Sequence, residues 1–149
     1  MGPPPEPAIR IERVEHAGDD VLVALAHLVP QLADRDPPTR AELEDLLRQP
    51  RAWLLAARAA DAIVGVATVV LYRTPTALTA RIEDVVVDAS ERGRGAGEAL
   101  VRELLRIAVD EGAETVALTS RPEREAANRL YHRLGFVRRE TNVYVWRPA

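Results

Sequence analysis

Hydrophobic and charged residues alternate at the start of the chain, and hydrophobic residues then recur at helical spacing. The alternation from Ile9 to Val14 predicts a first strand. Asp19-Asp20 can cap a first helix. The apolar positions of that helix are Val21, Leu22, Leu25, Leu28, Val29 and Leu32. Thr39 and Glu42 have the spacing of a capping box, which predicts a second helix that ends at Arg48.

Three segments with β-branched and aromatic residues follow the second helix. They predict successive strands over residues 53–58, 63–72 and 78–87. A long helix is then predicted from about Gly95 to Glu111, where Gly112 stops it. The remaining pattern predicts a strand over 115–119, a helix over 123–134, and closing strands over 136–139 and 142–146. This order of elements indicates an α/β domain built on a mixed sheet.

Length and composition narrow the class of protein. The 149 residues fit one domain over residues 8–149, preceded by a proline-rich tail over 1–7 that we expect to be flexible. The net charge of −3 is spread along the chain, without the basic footprint of a nucleic-acid-binding protein. No apolar run is long enough to span a membrane, and no signal peptide begins the chain. We therefore expect a cytoplasmic protein with no nucleic-acid or membrane partner.

Two residue types exclude or disfavour particular chemistry. The chain has no cysteine, which excludes disulfides, thiolate metal sites and a cysteine nucleophile. Its three histidines share no common spacing, so we expect structural or surface roles for them and no metal site. These histidines are His16, His27 and His132.

A glycine-rich loop between a predicted strand and a predicted helix is the strongest chemical signal. It reads Arg92-Gly93-Arg94-Gly95-Ala96-Gly97 and follows the apolar run Val85-Val86-Val87. Backbone N–H groups at a helix start point outward at the positive end of the helix dipole. Glycines allow a bulky anion to approach that backbone closely. The expected ligand is a phosphate or pyrophosphate.

Several phosphate-binding motifs compete for this loop. The dinucleotide fingerprint needs a third glycine where this chain has Glu98, and a P-loop needs a lysine that the chain lacks. A surface turn of glycines is a simpler alternative. The loop instead resembles the Arg/Gln-x-x-Gly-x-Gly/Ala signature of the GNAT superfamily of N-acetyltransferases. Residues 82–88 resemble that family's fourth strand, and residues 126–136 resemble its second cofactor motif.

The resemblance implies a fold and a cosubstrate. The GNAT fold is a mixed, mostly antiparallel sheet with a splayed fourth strand and about four helices. The cosubstrate is acetyl-CoA, whose pyrophosphate the amides of Arg92 to Gly97 would cradle. The backbone at Val85, Val86 and Val87 would pair with the pantetheine arm, and Asn128 would contact the cofactor from the last helix. Tyr131 matches the tyrosine often assigned as the general acid that protonates the leaving thiolate.

A base is also needed, because an amine is protonated at neutral pH. Glu83 is the candidate, since strand alternation places it on the same face as Val85 and Val87. Asp84 then points to the other face unless a bulge re-aims it. Many relatives have an asparagine after the fifth strand that holds a catalytic water. This chain has Ser120 in that region, which leaves the water relay open.

The expected reaction is therefore direct acetyl transfer to a primary amine of a small molecule such as a polyamine, amino sugar or amino acid. Glu83, Asp84 and Ser120 are the candidates for contact with that acceptor. Two alternatives stay open, namely a protein N-terminal or lysine acetyltransferase and a binding module that senses acyl-CoA without turnover. An unrelated nucleotide-binding domain is a more remote alternative. Many relatives pair through their closing strands, which leaves a homodimer open.

Overall fold

The computed structural model describes residues 1–149, which divide into two compact units. The first unit, Met1–Thr119, contains the sheet and three α-helices. The second unit, Ser120–Ala149, contains one α-helix. No helix in either unit is both long and apolar enough to cross a membrane.

Five strands form one mixed sheet. They are β1 (Ile9–Arg13), β2 (Ala52–Ala59), β3 (Ala62–Arg73), β4 (Leu78–Val87) and β5 (Thr115–Ala117). The strands lie side by side in chain order, antiparallel throughout except for the parallel pair β4–β5. Four α-helices accompany them, namely α1 (Asp19–Leu32), α2 (Arg40–Arg48), α3 (Ala96–Asp110) and α4 (Glu125–Arg133). The predicted mixed, mostly antiparallel α/β fold is confirmed.

The two predicted helix starts near the N-terminus have different outcomes. The capping box of α2 is present, because Glu42 N–H donates to Thr39 Oγ1 at 3.2 Å and Thr39 N–H donates to Glu42 Oε1 at 3.0 Å. The cap predicted for α1 is wrong, since Gly18 occupies the N-cap without a side-chain hydrogen bond. Asp19 and Asp20 lie in the first turn instead, where the helix dipole favours carboxylates.

Helices cover both faces of the sheet. The buried side chains of α1 and α2, Leu25, Leu28 and Leu43 among them, cluster with Val66 and Val86 of the sheet. On the opposite face, α3 buries Leu100, Val101 and Leu104 completely against β1 to β4. The core therefore consists of two apolar layers that sandwich the sheet.

The β4–β5 ladder is short. Only residues 79–81 of β4 pair with residues 115–117 of β5. No strand pairs with residues 82–87 of β4 on the β5 side, so the two strands part there. This is the splayed fourth strand that the resemblance implies, and it leaves backbone hydrogen-bonding groups along that side of β4 without a sheet partner.

The two closing strands predicted over 136–139 and 142–146 are wrong. Residues 136–149 take part in no strand ladder, and the large apolar side chains beyond Phe136 are exposed. The exposed residues are Val137, Val143, Tyr144, Val145 and Trp146. Side-chain alternation does not create a strand by itself, because a strand needs a neighbour that satisfies its backbone groups. This segment has no such neighbour.

Gly65 sets how closely α3 approaches the sheet. A Cβ at this position would lie 3.0 Å from Val86 O and 3.3 Å from Leu100 Cδ1. We expect Gly65→Ala to reduce the free energy of unfolding by about 1–3 kcal/mol, as overpacked cores do. Chemical denaturation measures this, with Gly2→Ala as a control because nothing lies within 4 Å of a Cβ there. Equal stability of the two variants would contradict this steric role.

Candidate active site

The glycine loop leads directly into α3. A short 3-10 helix, Ala89–Glu91, follows β4, and α3 begins at Ala96 with Gly95 as its N-cap. Gly93 and Gly95 have φ of 83° and 84°, in the left-handed region that side chains disfavour. A Cβ built on either glycine would have no heavy atom within 4 Å.

The start of α3 therefore has the features of an anion site. Gly95 offers no side-chain cap, so the first N–H groups of α3 have no side-chain acceptor there. The space beside Gly93 and Gly95 is open, and the helix dipole adds positive potential. These residues fit a diphosphate of the kind that acetyl-CoA carries.

The two arginines of the loop have different surroundings. Arg94 keeps only 16% of its side-chain surface exposed. Its guanidinium pairs with Glu91, lies 3.0 Å from Glu6 Oε2, and donates from Nη2 to Pro7 O at 2.8 Å. Arg92 is exposed. Arg94 is thus tied to its own chain, and Arg92 is the loop cation that faces solvent.

A bulge in β4 changes the predicted direction of Glu83. Thr68 pairs with Glu83 and Val66 pairs with Val86, so Asp84 and Val85 together oppose one residue of β3. Residues directly opposite each other share a face, and Val66 and Thr68 share theirs. Glu83 therefore lies on the face of Val86, and the prediction that it shares a face with Val85 and Val87 is wrong.

Because of the bulge, the Glu83 side chain lies on the face of the sheet that α1 and α2 cover. Val86 belongs to the core cluster formed with those helices. Val85 and Val87 are half-buried and belong to the opposite face. Their backbone lies in the part of β4 that β5 leaves unpaired, as the predicted pantetheine contact requires.

Glu83 has a close charged partner. Arg81, two residues earlier in β4, donates from Nε to Glu83 Oε1 at 2.5 Å. The same guanidinium donates from Nη2 to Thr119 Oγ1, just beyond β5, at 3.3 Å. Arg81 therefore links the candidate base to the end of β5 at the point where the two strands part.

Asp84 occupies the bulge in an unusual conformation. Its φ is 53°, which few residues other than glycine adopt. Desolvation raises the pKa of Asp84, the Glu83 carboxylate raises it further, and Arg35 of the α1–α2 connection opposes both. Strained backbone and a carboxylate with a raised pKa at one position are typical of functional sites.

The remaining predicted residues lie in the second unit. Asn128 Nδ2 donates to Arg121 O at 3.0 Å, which fixes its amide within that unit. Tyr131 packs edge-on against Phe136, with ring centroids 5.7 Å apart. Burial raises the pKa of the Tyr131 phenol above its usual range, and the nearby Arg124 opposes this. Ser120 Oγ is buried without a hydrogen-bond partner.

The structure brings some predicted residues together and adds others. The first unit joins the loop and residues 83–87 through β4, whereas Ser120, Asn128 and Tyr131 belong to the second unit. Sequence analysis missed Arg81 as the partner of Glu83. The signal was their two-residue spacing in a strand, which places both side chains on one face.

Comparison with known proteins identifies the class. Residues 21–136 match the acetyltransferase (GNAT) family, and this chain belongs to that family. It is therefore an acyltransferase by class, and the predicted family and fold are confirmed. Enzymes of this family use acetyl-CoA.

Individual relatives refine the comparison. The chain is 35% identical over 146 residues to glucosamine 6-phosphate N-acetyltransferase 1 of Oryza sativa subsp. japonica. This match covers 91% of this chain and 84% of that protein. The chain is 42% identical over 65 residues to the probable glucosamine 6-phosphate N-acetyltransferase 2 of the same plant. That shorter match spans 44% of this chain and only 37% of the relative.

A solved structure shows the same architecture. The putative acetyltransferase from Agrobacterium tumefaciens str. C58 superimposes with a TM-score of 0.81 at 25% identity. The match covers 93% of this chain and 99% of the other. It extends over both units of the chain and supports the family assignment.

The raised pKa of Asp84 has a consequence for stability. The fold disfavours the charged form of the Asp84 carboxylate, which lowers the free energy of unfolding at pH values above the raised pKa. This destabilisation disappears at acid pH, where the carboxylate is protonated. Asp84→Asn removes the charge, and asparagine tolerates a left-handed φ. We expect a higher Tm than wild type at pH 7 and a shrinking difference as the pH falls toward 4. Thermal melts across that range measure it, with Asp36→Asn in the α1–α2 connection as the control. If the Tm gain of Asp84→Asn at pH 7 is no larger than that of the control, the charged Asp84 carboxylate does not destabilise the fold.

Proposed function

We propose that this protein transfers an acetyl group from acetyl-CoA directly to the primary amine of a small molecule. One observation carries the proposal: an open glycine loop at the start of α3 lies at the end of a splayed strand that bears two carboxylates at a bulge. The loop suits a diphosphate, the splayed edge suits an amide-containing arm, and the carboxylates suit an amine. The family membership supports the same cosubstrate.

The cosubstrate-binding residues follow from this arrangement. The amides of Arg92 to Gly97 would hold the pyrophosphate, with Arg94, Gly95 and Ala96 contributing backbone at the start of α3. The backbone of residues 85–87 would pair with the pantetheine arm as an added strand does. Asn128 would contact the same arm from α4. When bound, acetyl-CoA supplies an activated thioester carbonyl.

Proton transfers assign roles to two side chains. Glu83, oriented by its hydrogen bond from Arg81, would take the proton of the attacking amine, directly or through a water, for which Ser120 stays the candidate from the sequence. Tyr131 would donate a hydrogen bond or a proton to the departing thiolate. A phenol is protonated at neutral pH, and the raised pKa of Tyr131 favours donation of a hydrogen bond to the thiolate over transfer of the proton. Without cysteine, no acetyl-cysteine can form, which favours direct transfer.

The charges around the bulge favour one acceptor class. Arg81 balances Glu83, and Arg35 opposes the charge of Asp84, so the acceptor side carries cations as well as carboxylates. A polyamine offers only positive charge and would meet both arginines. An amine that also carries a phosphate or carboxylate satisfies both signs. The rice relatives are named for glucosamine 6-phosphate, and we propose this kind of amino sugar as the first acceptor to test.

A cytoplasmic location, a homodimer and a single domain over residues 8–149 stay predictions.

The first experiment measures free thiol released from acetyl-CoA in the presence of glucosamine 6-phosphate, glucosamine, spermidine, glycine and a lysine peptide. The chain contributes no thiol background. We expect amine-dependent release that is fastest for glucosamine 6-phosphate.

Glu83→Gln should lower kcat about a hundredfold, and Tyr131→Phe about tenfold or more, because each removes a proton-transfer group. Glu83→Gln should leave the Kd of acetyl-CoA nearly unchanged, whereas Tyr131 is also a predicted cosubstrate contact.

The possible results separate the open alternatives. Release with the lysine peptide alone would replace the small-molecule acceptor by a protein. Binding of acetyl-CoA without turnover of any amine would instead support a sensing module. Activity that both substitutions leave intact would contradict the assigned proton-transfer roles.

Gly95 provides a separate test of the loop. Alanine there is strained by the left-handed φ, and its Cβ enters the open space beside the loop. We expect Gly95→Ala to weaken CoA binding about tenfold in calorimetry. Gly112→Ala is the matched control, because Gly112 has a φ of 87° at the other end of α3. It should lose similar stability and keep the wild-type Kd, and an equal loss of affinity in both variants would refute the loop assignment.

A further inference from the structure

Helix α1 reaches the turn before the glycine loop through two polar side chains. His27 and Gln31 are four residues apart, so they lie along one side of the helix. His27 Nε2 lies 3.1 Å from Asp88 Oδ2, and Gln31 Nε2 donates to Asp88 Oδ1 at 3.3 Å. Ala89 N–H donates to Gln31 Oε1 at 2.9 Å. These contacts join residues about sixty positions apart in the sequence.

Gln31 uses both ends of its amide. The carbonyl oxygen accepts from the backbone of Ala89, while the amide nitrogen donates to Asp88 and to His27 O at 3.2 Å. A glutamate would keep the acceptor, lose the donor and place a second carboxylate beside Asp88. A methionine of similar length would lose all of these hydrogen bonds. Substitutions of Gln31 can therefore separate the effect of side-chain shape from the effect of hydrogen bonding.

Asp88 is the junction of this network. Its N–H donates to Val64 O of β3 at 2.8 Å, and its C=O accepts from Glu91 N–H at 2.9 Å. Its carboxylate also accepts from Ser90 N–H at 3.4 Å and caps the 3-10 helix. Burial raises the pKa of Asp88, but hydrogen bonds from His27, Gln31 and Ser90 outweigh this and lower it. Asp88 thus ties α1, β3 and the 3-10 helix together as an ionised group.

The glycine loop begins directly after this junction. Only the 3-10 helix Ala89–Glu91 separates Asp88 from Arg92. The glycines of the loop have the largest backbone freedom, so the position of its amides depends on the anchors at its two ends. Helix α3 anchors the far end, and the Asp88 junction anchors the near end.

We propose that His27 and Gln31 are positioning residues for the cosubstrate loop. They hold Asp88 and Ala89 so that the amides of Arg92 to Gly97 are arranged for a diphosphate before it binds. The inference rests on the proposed role of that loop, and it assigns to α1 a role in cosubstrate affinity. The same helix packs over the face of β4 that carries Glu83, so one rigid element borders both halves of the site.

The test compares wild type with Gln31→Met, Gln31→Glu and His27→Ala by calorimetric titration with CoA. We expect the Kd to rise about tenfold for Gln31→Met, at least as much for Gln31→Glu, and about threefold for His27→Ala. The KM for acetyl-CoA should rise in parallel, while kcat and the KM of the acceptor change less than twofold. Gln49→Met, at an exposed glutamine at the end of α2, is the matched control and should match wild type.

The outcomes distinguish this inference from the proposed function. Wild-type protein that binds no CoA would overturn the role of the loop itself and the inference with it. Wild type that binds CoA while Gln31→Met binds equally well would overturn only the positioning role. A kcat loss with unchanged Kd and KM for acetyl-CoA would also overturn it, because the network would then act on the chemistry and not on the loop.

Discussion

The organisation of this protein depends on where the hydrogen bonding between β4 and β5 stops. Three residue pairs join the two strands, and beyond them β4 continues alone on that side. A central strand normally satisfies its backbone on both sides, so an unpaired stretch inside a fold needs another partner. The features of the first unit that are assigned to the site lie on or next to this stretch: the bulge, the Arg81–Glu83 pair, the 3-10 helix and the glycine loop. Under the proposed function, the pantetheine arm of the cosubstrate would pair with this unpaired stretch as an added strand does.

The bulge in β4 determines which side chains lie beside the unpaired stretch. One extra residue in β4 reverses the side-chain alternation, so the carboxylate of Glu83 faces the layer of α1 and α2 while the backbone of residues 85–87 remains at the splay. The reversal requires a left-handed φ at Asp84, which costs free energy. The carboxylate of the proposed base and the open backbone edge beside it thereby belong to five consecutive residues, 83–87. An acceptor and a thioester can approach such a strand from different directions.

Local signals in the sequence were enough for most elements. The capping box at Thr39, the glycine stop after α3 and the β-branched runs each reflect short-range physics, and the strands and helices of the first unit follow them. The direction of Glu83 was wrong because a bulge depends on pairing with β3, which no local pattern records. His27 and Gln31 were ordinary polar residues on a helix until the fold placed Asp88 beside them. The apolar alternation after residue 136 predicted strands that lack a partner in the structure.

Arg94 gives the glycine loop a particular electrostatic character. Two carboxylates, those of Glu6 and Glu91, surround its guanidinium, so this residue adds little net positive charge at the start of α3. The attraction for an anion comes mainly from fixed backbone dipoles, with Arg92 as the exposed charge. Mobile ions screen exposed charges strongly, but they do not reorient amides that the fold holds in place. A diphosphate bound as proposed would therefore depend on how the fold positions these amides more than on the charge of Arg94.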